Sequence, residues 1–157
     1  MMPVQDDYLV FAAAGQKCAL PALDVREVAR RLPLTPVPGA CTGIAGIVNL
    51  RGHVLTALDT AALLALPQMS SCAANIIVAA DGRFYSLLAD AAGDMLRLPR
   101  ESLHPLDAGA QMWRGAASRI CRSPQGEIIP LLDIPRVLRG FSEAPKKESA
   151  VAREYVP

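Results

Sequence analysis

The two halves of the chain repeat one pattern, and such a repeat predicts two similar structural units. An apolar run ends at Gly15 and is followed by a second run that reaches Leu20, and the same arrangement surrounds Gly82 and Leu87. In both halves the glycine stands five residues before the leucine. Two apolar runs separated by a glycine turn are typical of a β-hairpin, and we place the first turn at Gly15-Gln16.

The closing segments of the two halves also match. Residues 54–64 and 128–138 both contain an apolar pair, then a Leu-Asp pair, then a further apolar pair. Asp59 and Asp133 each occupy the position of a helix N-cap, where a carboxylate accepts a hydrogen bond from a free backbone N–H group. The repeat distance is 67 residues at the glycine turns and 74 residues at the aspartates. The second half therefore contains an insertion, which we place around 99–111.

Two other local patterns lie in the first half. Asp24, with Glu27 three residues later, is typical of a helix start, so we predict a helical turn at 24–28. Segment 32–39 contains three prolines. It is predicted to be extended but not a central strand, because proline lacks the N–H group that a sheet interior requires.

Short strands account for most of the remaining apolar residues. The first half predicts strands at 44–50 and 53–58, on either side of a turn at Arg51-Gly52. About five short strands in a unit of about 65 to 75 residues suit a small β-barrel. Because units of this size are barely large enough to be stable alone, we expect their apolar faces to share one continuous core. The predicted fold class is all-β with short helices.

Composition and charge exclude several classes of function. The chain of 157 residues is 52% hydrophobic and 20% charged, which excludes general disorder. A net charge of +1 and an aromatic content of 4% argue against nucleic-acid binding. No apolar run reaches the roughly 18 residues that a membrane span requires, and the N-terminus has no signal-peptide pattern. We therefore expect a soluble cytoplasmic protein without direct membrane insertion.

No catalytic or metal-binding pattern is evident in the sequence. The four cysteines contain no C-x-x-C pair; they are Cys18, Cys41, Cys72 and Cys121. We therefore predict no metal ion, no cofactor and no catalytic residue. Two alternatives stay open. One is a thiol-dependent enzyme that uses Cys41 or Cys72, and the other is a small-molecule-binding β-barrel module.

Several short motifs follow one another along the first half, namely Val25-Arg26-Glu27-Val28, Pro38, Gly43, Gly46, Asn49-Leu50-Arg51-Gly52 and Leu58-Asp59. In this order they resemble the CheW family of chemotaxis coupling proteins. In the second half, 87–90 and 128–138 resemble the family's strand that ends in Val-Asp and its closing strand and helix. The resemblance spans about residues 8–138. Two positions depart from the family pattern, since Thr56 stands where proline is usual and Ala89 where valine is usual.

The resemblance implies two SH3-like five-stranded β-barrels that share a hydrophobic core. We expect a single CheW-like domain at 8–139, between an N-terminal extension at 1–7 and a solvated tail at 140–157. The subdomains are placed at about 16–72 and 75–133, and an exchange of terminal segments between them is left open. Removal of the tail is expected to leave the free energy of unfolding almost unchanged.

The resemblance also implies a function without catalysis, that of a scaffold or adaptor that couples chemoreceptors to the histidine kinase CheA. One barrel is expected to pair with the kinase's regulatory domain, and a groove between the barrels to take the cytoplasmic tip of the receptor. Recruitment to membrane receptor arrays follows from these partners. The implied partner-binding residues are Val25, Glu27, Gly46, Asn49, Arg51 and Gly52. Among them, Glu27 and Arg51 are expected to form an ion pair.

Overall fold

The computed structural model describes residues 4–68 and 72–143 and contains two six-stranded sheets. One sheet consists of β1 (Gln5–Ala13), β2 (Gln16–Pro21), β9 (Ala91–Pro99), β10 (His104–Pro105), β11 (Ala117–Arg122) and β12 (Ile128–Leu132). The other consists of β3 (Val25–Arg30), β4 (Leu34–Thr35), β5 (Ile44–Leu50), β6 (His53–Leu58), β7 (Ala74–Ala80) and β8 (Arg83–Ala89). Helix α1 (Thr60–Leu63) follows β6, and helix α2 (Ile134–Glu143) follows β12. We call the β3–β8 sheet with α1 the first unit, and the other sheet with α2 the second unit.

The two units have the same strand order. In the first unit the order is β3-β7-β8-β6-β5-β4, and in the second it is β9-β1-β2-β12-β11-β10. Each contains two antiparallel hairpins that are joined by one parallel strand pair. We call β7–β8 and β1–β2 the central hairpins. Gly15 and Gly82 both lie in the hairpin turns, and Asp59 and Asp133 both precede the helices. The repeat predicted from the sequence is therefore confirmed.

The two sheets do not coincide with the predicted subdomain ranges 16–72 and 75–133, because each sheet contains strands from both halves of the chain. The N-terminal hairpin β1–β2 pairs with strands from the second half of the chain, and β7–β8 pairs with strands from the first half. Each half of the sequence therefore supplies the central hairpin of the other unit. The sequence repeat alone does not specify this arrangement, because a hairpin pattern does not say which sheet the hairpin joins.

The all-β fold class is confirmed. Each sheet has one more strand than the five that were predicted. Each sheet has five longer strands and one strand of two residues, β4 or β10, at its edge. The proline-rich segment 32–39 supplies β4, which pairs with β5 alone. This edge position is the one predicted for a segment whose prolines cannot donate to a sheet.

The hydrophobic core has three parts. The hairpins β1–β2 and β7–β8 pack against each other between the units. Each contributes alternate residues, because successive residues of a strand face opposite sides of its sheet. This shared core includes Leu9, Phe11, Leu20, Ile76 and Val78. A smaller cluster belongs to the first unit and contains Val48, Leu55, Ala57, Ile77 and Leu88. Its counterpart in the second unit contains Tyr8, Ala19, Leu103, Cys121, Ile129 and Leu131.

Three hairpins turn through two residues that both have positive φ. These turns are Ala14-Gly15, Arg51-Gly52 and Asp81-Gly82, and their φ angles lie between 49° and 87°. Two left-handed residues match the twist of the flanking strands, and glycine adopts this conformation without steric cost. The first turn therefore lies one residue before the predicted Gly15-Gln16, because the glycine occupies its second position.

The predicted helical turn at 24–28 is wrong. A single 3₁₀ turn at Ala22–Asp24 precedes β3, which begins at Val25. The side chain of Asp24 does not cap this turn. Pairing with β7 decides the conformation, since Val25 is opposite Val78 and Glu27 is opposite Ile77. Tertiary pairing of this kind overrides a local capping signal.

Two further 3₁₀ turns lie in the second unit, at Arg100–Ser102 and Ala108–Trp113. The latter has no counterpart between β4 and β5 and overlaps the predicted insertion around 99–111. It contributes Ala110 and Trp113 to the shared core. Within the described ranges, neither helix is long and apolar enough to cross a membrane.

Helix α2 continues past the predicted start of the tail at residue 140. It ends at Glu143, and Phe141 packs against the shared core. The ring of Phe141 lies close to Gly43 in the first unit, where a methyl group would come within 3.1 Å of its Cε1 atom. The rest of the predicted tail, 144–157, lies outside the described residues.

Candidate partner-binding site

Glu27 and Arg51 form a two-bond ion pair on the surface of the first unit. Arg51 donates from Nη1 to Glu27 Oε1 at 2.9 Å and from Nη2 to Oε2 at 3.0 Å. These hydrogen bonds, followed by the charge of the carboxylate, raise the pKa of the Arg51 guanidinium above its ordinary value. Because β7, β8 and β6 separate β3 from β5 in the sheet order, the contact requires a strongly curled sheet.

The turn that carries Arg51 is held by its neighbours. The backbone N–H of Gly52 donates to the side-chain oxygen of Asn49 at 2.8 Å. Arg51 has a φ of 50° and Gly52 a φ of 87°. A positive φ is costly for arginine, so the Asn49 hydrogen bond and the glycine help to fix the guanidinium position.

The other two predicted residues have packing roles. Gly46 has a φ of 150°, and a methyl group there would overlap the Thr35 carbonyl oxygen. This glycine therefore allows β4 to lie close against β5. Val25 packs against the core between the units. The structure thus brings Glu27 and Arg51 together, supports them through Asn49 and Gly52, and places Val25 and Gly46 in the surrounding framework.

A β-bulge in β3 explains why Val25 and Glu27 face different ways. Arg26 is the extra residue between the Val25–Val78 and Glu27–Ile77 pairs. Without a bulge, residues two apart would lie on the same face of the strand. As a result, Arg26 and Glu27, although adjacent in sequence, both line one groove.

This groove, which we call the end groove, lies beside the ion pair at one end of the first unit. Besides the ion pair itself, its lining includes Arg26, His53, Val54, Arg83 and Phe84. None of these five residues was predicted to be functional from the sequence. Strand alternation gives no signal for Arg26, because the bulge interrupts the alternation at this residue.

Two of the four cysteines are buried and the other two are half-buried. Burial, followed by the charge of Asp90, raises the pKa of Cys18 to about 12, and burial also raises the pKa of Cys121. Cys72 packs against the first unit's own core cluster and donates to the Ala74 carbonyl oxygen at 3.4 Å. Cys41 is half-buried in a loop. Across 4–68 and 72–143, no three His, Cys, Asp or Glu residues are grouped as metal ligands.

Asp59 and Asp133 are helix N-caps. The Oδ1 atom of Asp59 accepts from the Ala62 N–H at 3.1 Å, and that of Asp133 accepts from the Arg136 N–H at 3.1 Å. Each carboxylate therefore satisfies a backbone donor that has no partner within its helix. The matched positions in the sequence repeat are thus explained by capping.

Comparisons with known proteins agree with this architecture. A family model described as the CheW-like domain matches residues 7–141. The chain is 27% identical over 133 residues to a protein of Rhizobium meliloti (strain 1021) named Chemotaxis protein CheW, a match that covers 83% of this chain and 86% of the relative. It is 31% identical over 101 residues to the Probable chemotaxis protein CheW of Rhizobium etli, a match that covers 63% of this chain and 65% of the relative.

A solved structure has the same fold. It is the scaffolding protein TtCheW from Thermoanaerobacter tengcongensis, with a TM-score of 0.76 and 24% sequence identity. The superposition covers 94% of this chain and 97% of that protein. Since the family model also covers most of the sequence, the chain belongs to the family of CheW-like domains, the family of chemotaxis adaptor proteins.

Proposed function

We propose that this chemotaxis adaptor couples chemoreceptors to the histidine kinase CheA without a catalytic step of its own. The observation that carries the proposal is the exposed two-bond ion pair between Glu27 and Arg51 on the first unit. An arginine that is held by two hydrogen bonds presents a fixed polar surface, which suits recognition of a partner.

The architecture supports a binding role because it is rigid. The two units share one core, and their central hairpins pack against each other. A surface on such a framework loses little conformational entropy when a partner docks, so more of the contact energy appears as affinity. In this proposal one unit pairs with the regulatory domain of the kinase, and the receptor tip binds between the units.

Coupling of this kind requires that the adaptor bind one state of the receptor and kinase more tightly than the other. An adaptor that binds the active receptor–kinase arrangement more tightly than the inactive one shifts the balance toward activity, and a covalent step is not needed. In this proposal the protein works in the cytoplasm and is recruited to membrane arrays by the receptors. The high pKa of Cys18 and the packing of Cys72 support a role without thiol chemistry.

The small-molecule alternative is less well supported. A small-molecule site usually encloses most of its ligand. The end groove beside the ion pair is only partly enclosed. This shape suits a segment of another protein better than a buried metabolite.

Co-sedimentation with receptor-containing membranes and purified CheA tests the proposal. The native protein is expected to appear in the membrane pellet and to increase the amount of CheA found there. The variant Arg51→Glu is expected to reduce both, because it places a second carboxylate beside Glu27.

The chain offers a matched control on the second unit. Arg97 and Asp7 also form an exposed ion pair, with Nε and Oδ1 2.9 Å apart. The variant Arg97→Glu is expected to sediment like the native protein. Failure of the native protein to sediment with receptor and kinase would contradict the proposed coupling role.

A further inference from the structure

The end groove of the first unit carries excess positive charge. Arg26, Arg51 and Arg83 line it, and Glu27 is the only carboxylate among its described lining residues. Arg51 is already paired with Glu27. Arg26 and Arg83 form no ion pair with any residue in the described part of the chain. Two arginines are therefore available to a ligand in this groove.

At the equivalent end of the second unit, two side-chain contacts bridge neighbouring strands. Lys17 in β2 forms an ion pair with Glu127 beside β12, with Nζ and Oε1 3.3 Å apart. The side-chain amide of Gln16 also donates to the Ile128 carbonyl oxygen at 2.9 Å. These two contacts join the start of β2 to the start of β12 across the parallel strand pair.

The first unit lacks both contacts at the matching positions. The parallel pair Ala57–Ser86 corresponds to Leu131–Ala19 in the repeat. Counted from these pairs, Lys17 and Glu127 correspond to Phe84 and His53. By the same count, Gln16 and Ile128 correspond to Arg83 and Val54. The end groove thus lacks the bridging contacts of its counterpart, and it has Arg83 in place of Gln16 and Phe84 in place of Lys17.

Apolar surface lies beside these cations. Phe84 is 49% exposed and Val54 is 41% exposed, and both line the groove. A large exposed aromatic side chain in a concave surface is a common anchor point for a partner protein. The groove therefore combines two arginines that have no ion-pair partner in the described part of the chain with an apolar contact surface.

We propose that the end groove is a docking site for an acidic protein segment that carries an apolar side chain. The carboxylates of the segment pair with Arg26 and Arg83, and its apolar side chain packs on Phe84 and Val54. The inference rests on the proposed function only in taking the ligand to be part of a protein. The groove lies within the first unit, so it is distinct from a receptor site between the two units.

A labelled synthetic peptide tests this docking site directly. The probe is a short amphipathic peptide of glutamate and leucine, and its partner probe has glutamine in place of every glutamate. Fluorescence anisotropy is expected to show binding of the glutamate peptide that weakens with added salt, because exposed charge pairs are screened. The glutamine peptide is expected to bind more weakly.

Variants of the protein assign the binding to the groove. The double variant Arg26→Glu with Arg83→Glu is expected to lose about tenfold or more in affinity, since two attractive pairs become repulsive. Arg30→Glu is the matched control, because Arg30 is an exposed arginine of the same strand that lies outside the groove lining. It is expected to change the affinity by less than about twofold, as for a distant surface charge.

A second pair of variants tests the apolar contact. Phe84→Ser is expected to weaken binding of the glutamate peptide. Met112→Ser changes an exposed residue elsewhere on the surface and is expected to leave this binding unchanged. Thermal unfolding of both variants identifies any loss of folding. Absence of peptide binding to the native protein, or equal binding by the double arginine variant, would overturn the proposal. The titration contains neither receptor nor kinase, so its failure would leave the coupling proposal to be judged by co-sedimentation alone.

Discussion

Arg51 donates two parallel hydrogen bonds to Glu27 across the curled first sheet, from a turn whose backbone is itself strained at this residue. The Arg51 side chain is 71% exposed and that of Glu27 is 31% exposed. An exposed ion pair adds only about 0 to 1 kcal/mol to stability. The pair therefore contributes little to the stability of the fold. Its main effect is on the surface that a partner would contact.

The first prediction concerns the geometry of this pair. Arg51→Lys keeps the charge but removes the planar fork that makes two bonds, so we expect binding to receptor and kinase to weaken by about fivefold, or about 1 kcal/mol. Arg51→Asn removes the guanidinium but keeps the turn, because asparagine tolerates a positive φ. This variant therefore tests the side chain separately from the backbone conformation. It is expected to weaken binding at least as much while the melting temperature stays close to that of the native protein.

A binding cycle measures the coupling between the two residues. Glu27→Arg, Arg51→Glu and the double variant are compared with the native protein at one salt concentration. The double variant is expected to recover part of the affinity that either single reversal loses. A coupling energy near zero would show that the two charges act independently in partner binding.

The second prediction concerns the two helix caps. Asp59→Ala and Asp133→Ala are each expected to lower the free energy of unfolding by about 1 kcal/mol, because each leaves a backbone N–H without its partner. Asp59→Asn and Asp133→Asn are controls that keep the capping oxygen, and we expect a smaller loss. Urea unfolding measures both sets. If Asp59→Ala abolishes partner binding with an unchanged unfolding curve, the residue acts in recognition and the capping explanation is insufficient.

Features that depend on neighbouring residues were predictable from the sequence. The hairpins around Gly15 and Gly82 follow from a glycine between two apolar runs, and the caps at Asp59 and Asp133 follow from their position before helical segments. In each case the residues that decide the structure lie within a few positions of one another. The repeat extended these local predictions to the whole fold.

Features that depend on distant pairing were not predictable in the same way. The segment 24–28 contains a capping signal, but β7, about fifty residues later, pairs with it and makes it a strand. The bulge at Arg26 also belongs to this pairing, and Arg26 is one of the residues that line the end groove. The resemblance to a family identified Glu27 and Arg51, whereas Arg83 and Phe84 were identified only from the groove that the folded chain forms.

The third prediction concerns Asp24, which is partly buried. Burial, followed by the negative charge of Asp133, raises the pKa of the Asp24 carboxyl above its ordinary value. The folded protein therefore favours the protonated form. The contribution of this group to stability is complete below the ordinary aspartate pKa and is lost as the pH rises through the raised value.

Asp24→Asn removes this pH dependence. At neutral pH the variant is expected to be slightly more stable than the native protein, by less than about 1 kcal/mol because the group is partly solvated. Below the ordinary aspartate pKa the two proteins are expected to have similar stability. Thermal unfolding as a function of pH measures the difference. A variant that is less stable than the native protein at neutral pH would show that the Asp24 carboxylate is stabilising.

The fourth prediction concerns the end of helix α2. The sequence indicated a solvated tail from residue 140, but Phe141 packs against the shared core beside Gly43 and the side chain of Leu63. The aromatic ring thus joins a helix of the second unit to the loop and helix of the first. Truncation after Arg139 is therefore expected to lower the free energy of unfolding by about 1 to 3 kcal/mol, as for the loss of a half-buried aromatic residue.

Two further proteins separate the aromatic ring from the rest of the tail. Phe141→Ala in the full chain is expected to account for most of the loss, and truncation after residue 143 keeps the ring and is expected to cost less than about 1 kcal/mol. Urea unfolding of the three proteins gives the comparison. If both truncations cost the same and Phe141→Ala costs nothing, the contact beside Gly43 does not hold the two units together. If the free energy of unfolding falls only in the variants that lack the Phe141 ring, this ring links the second unit's helix to the first unit.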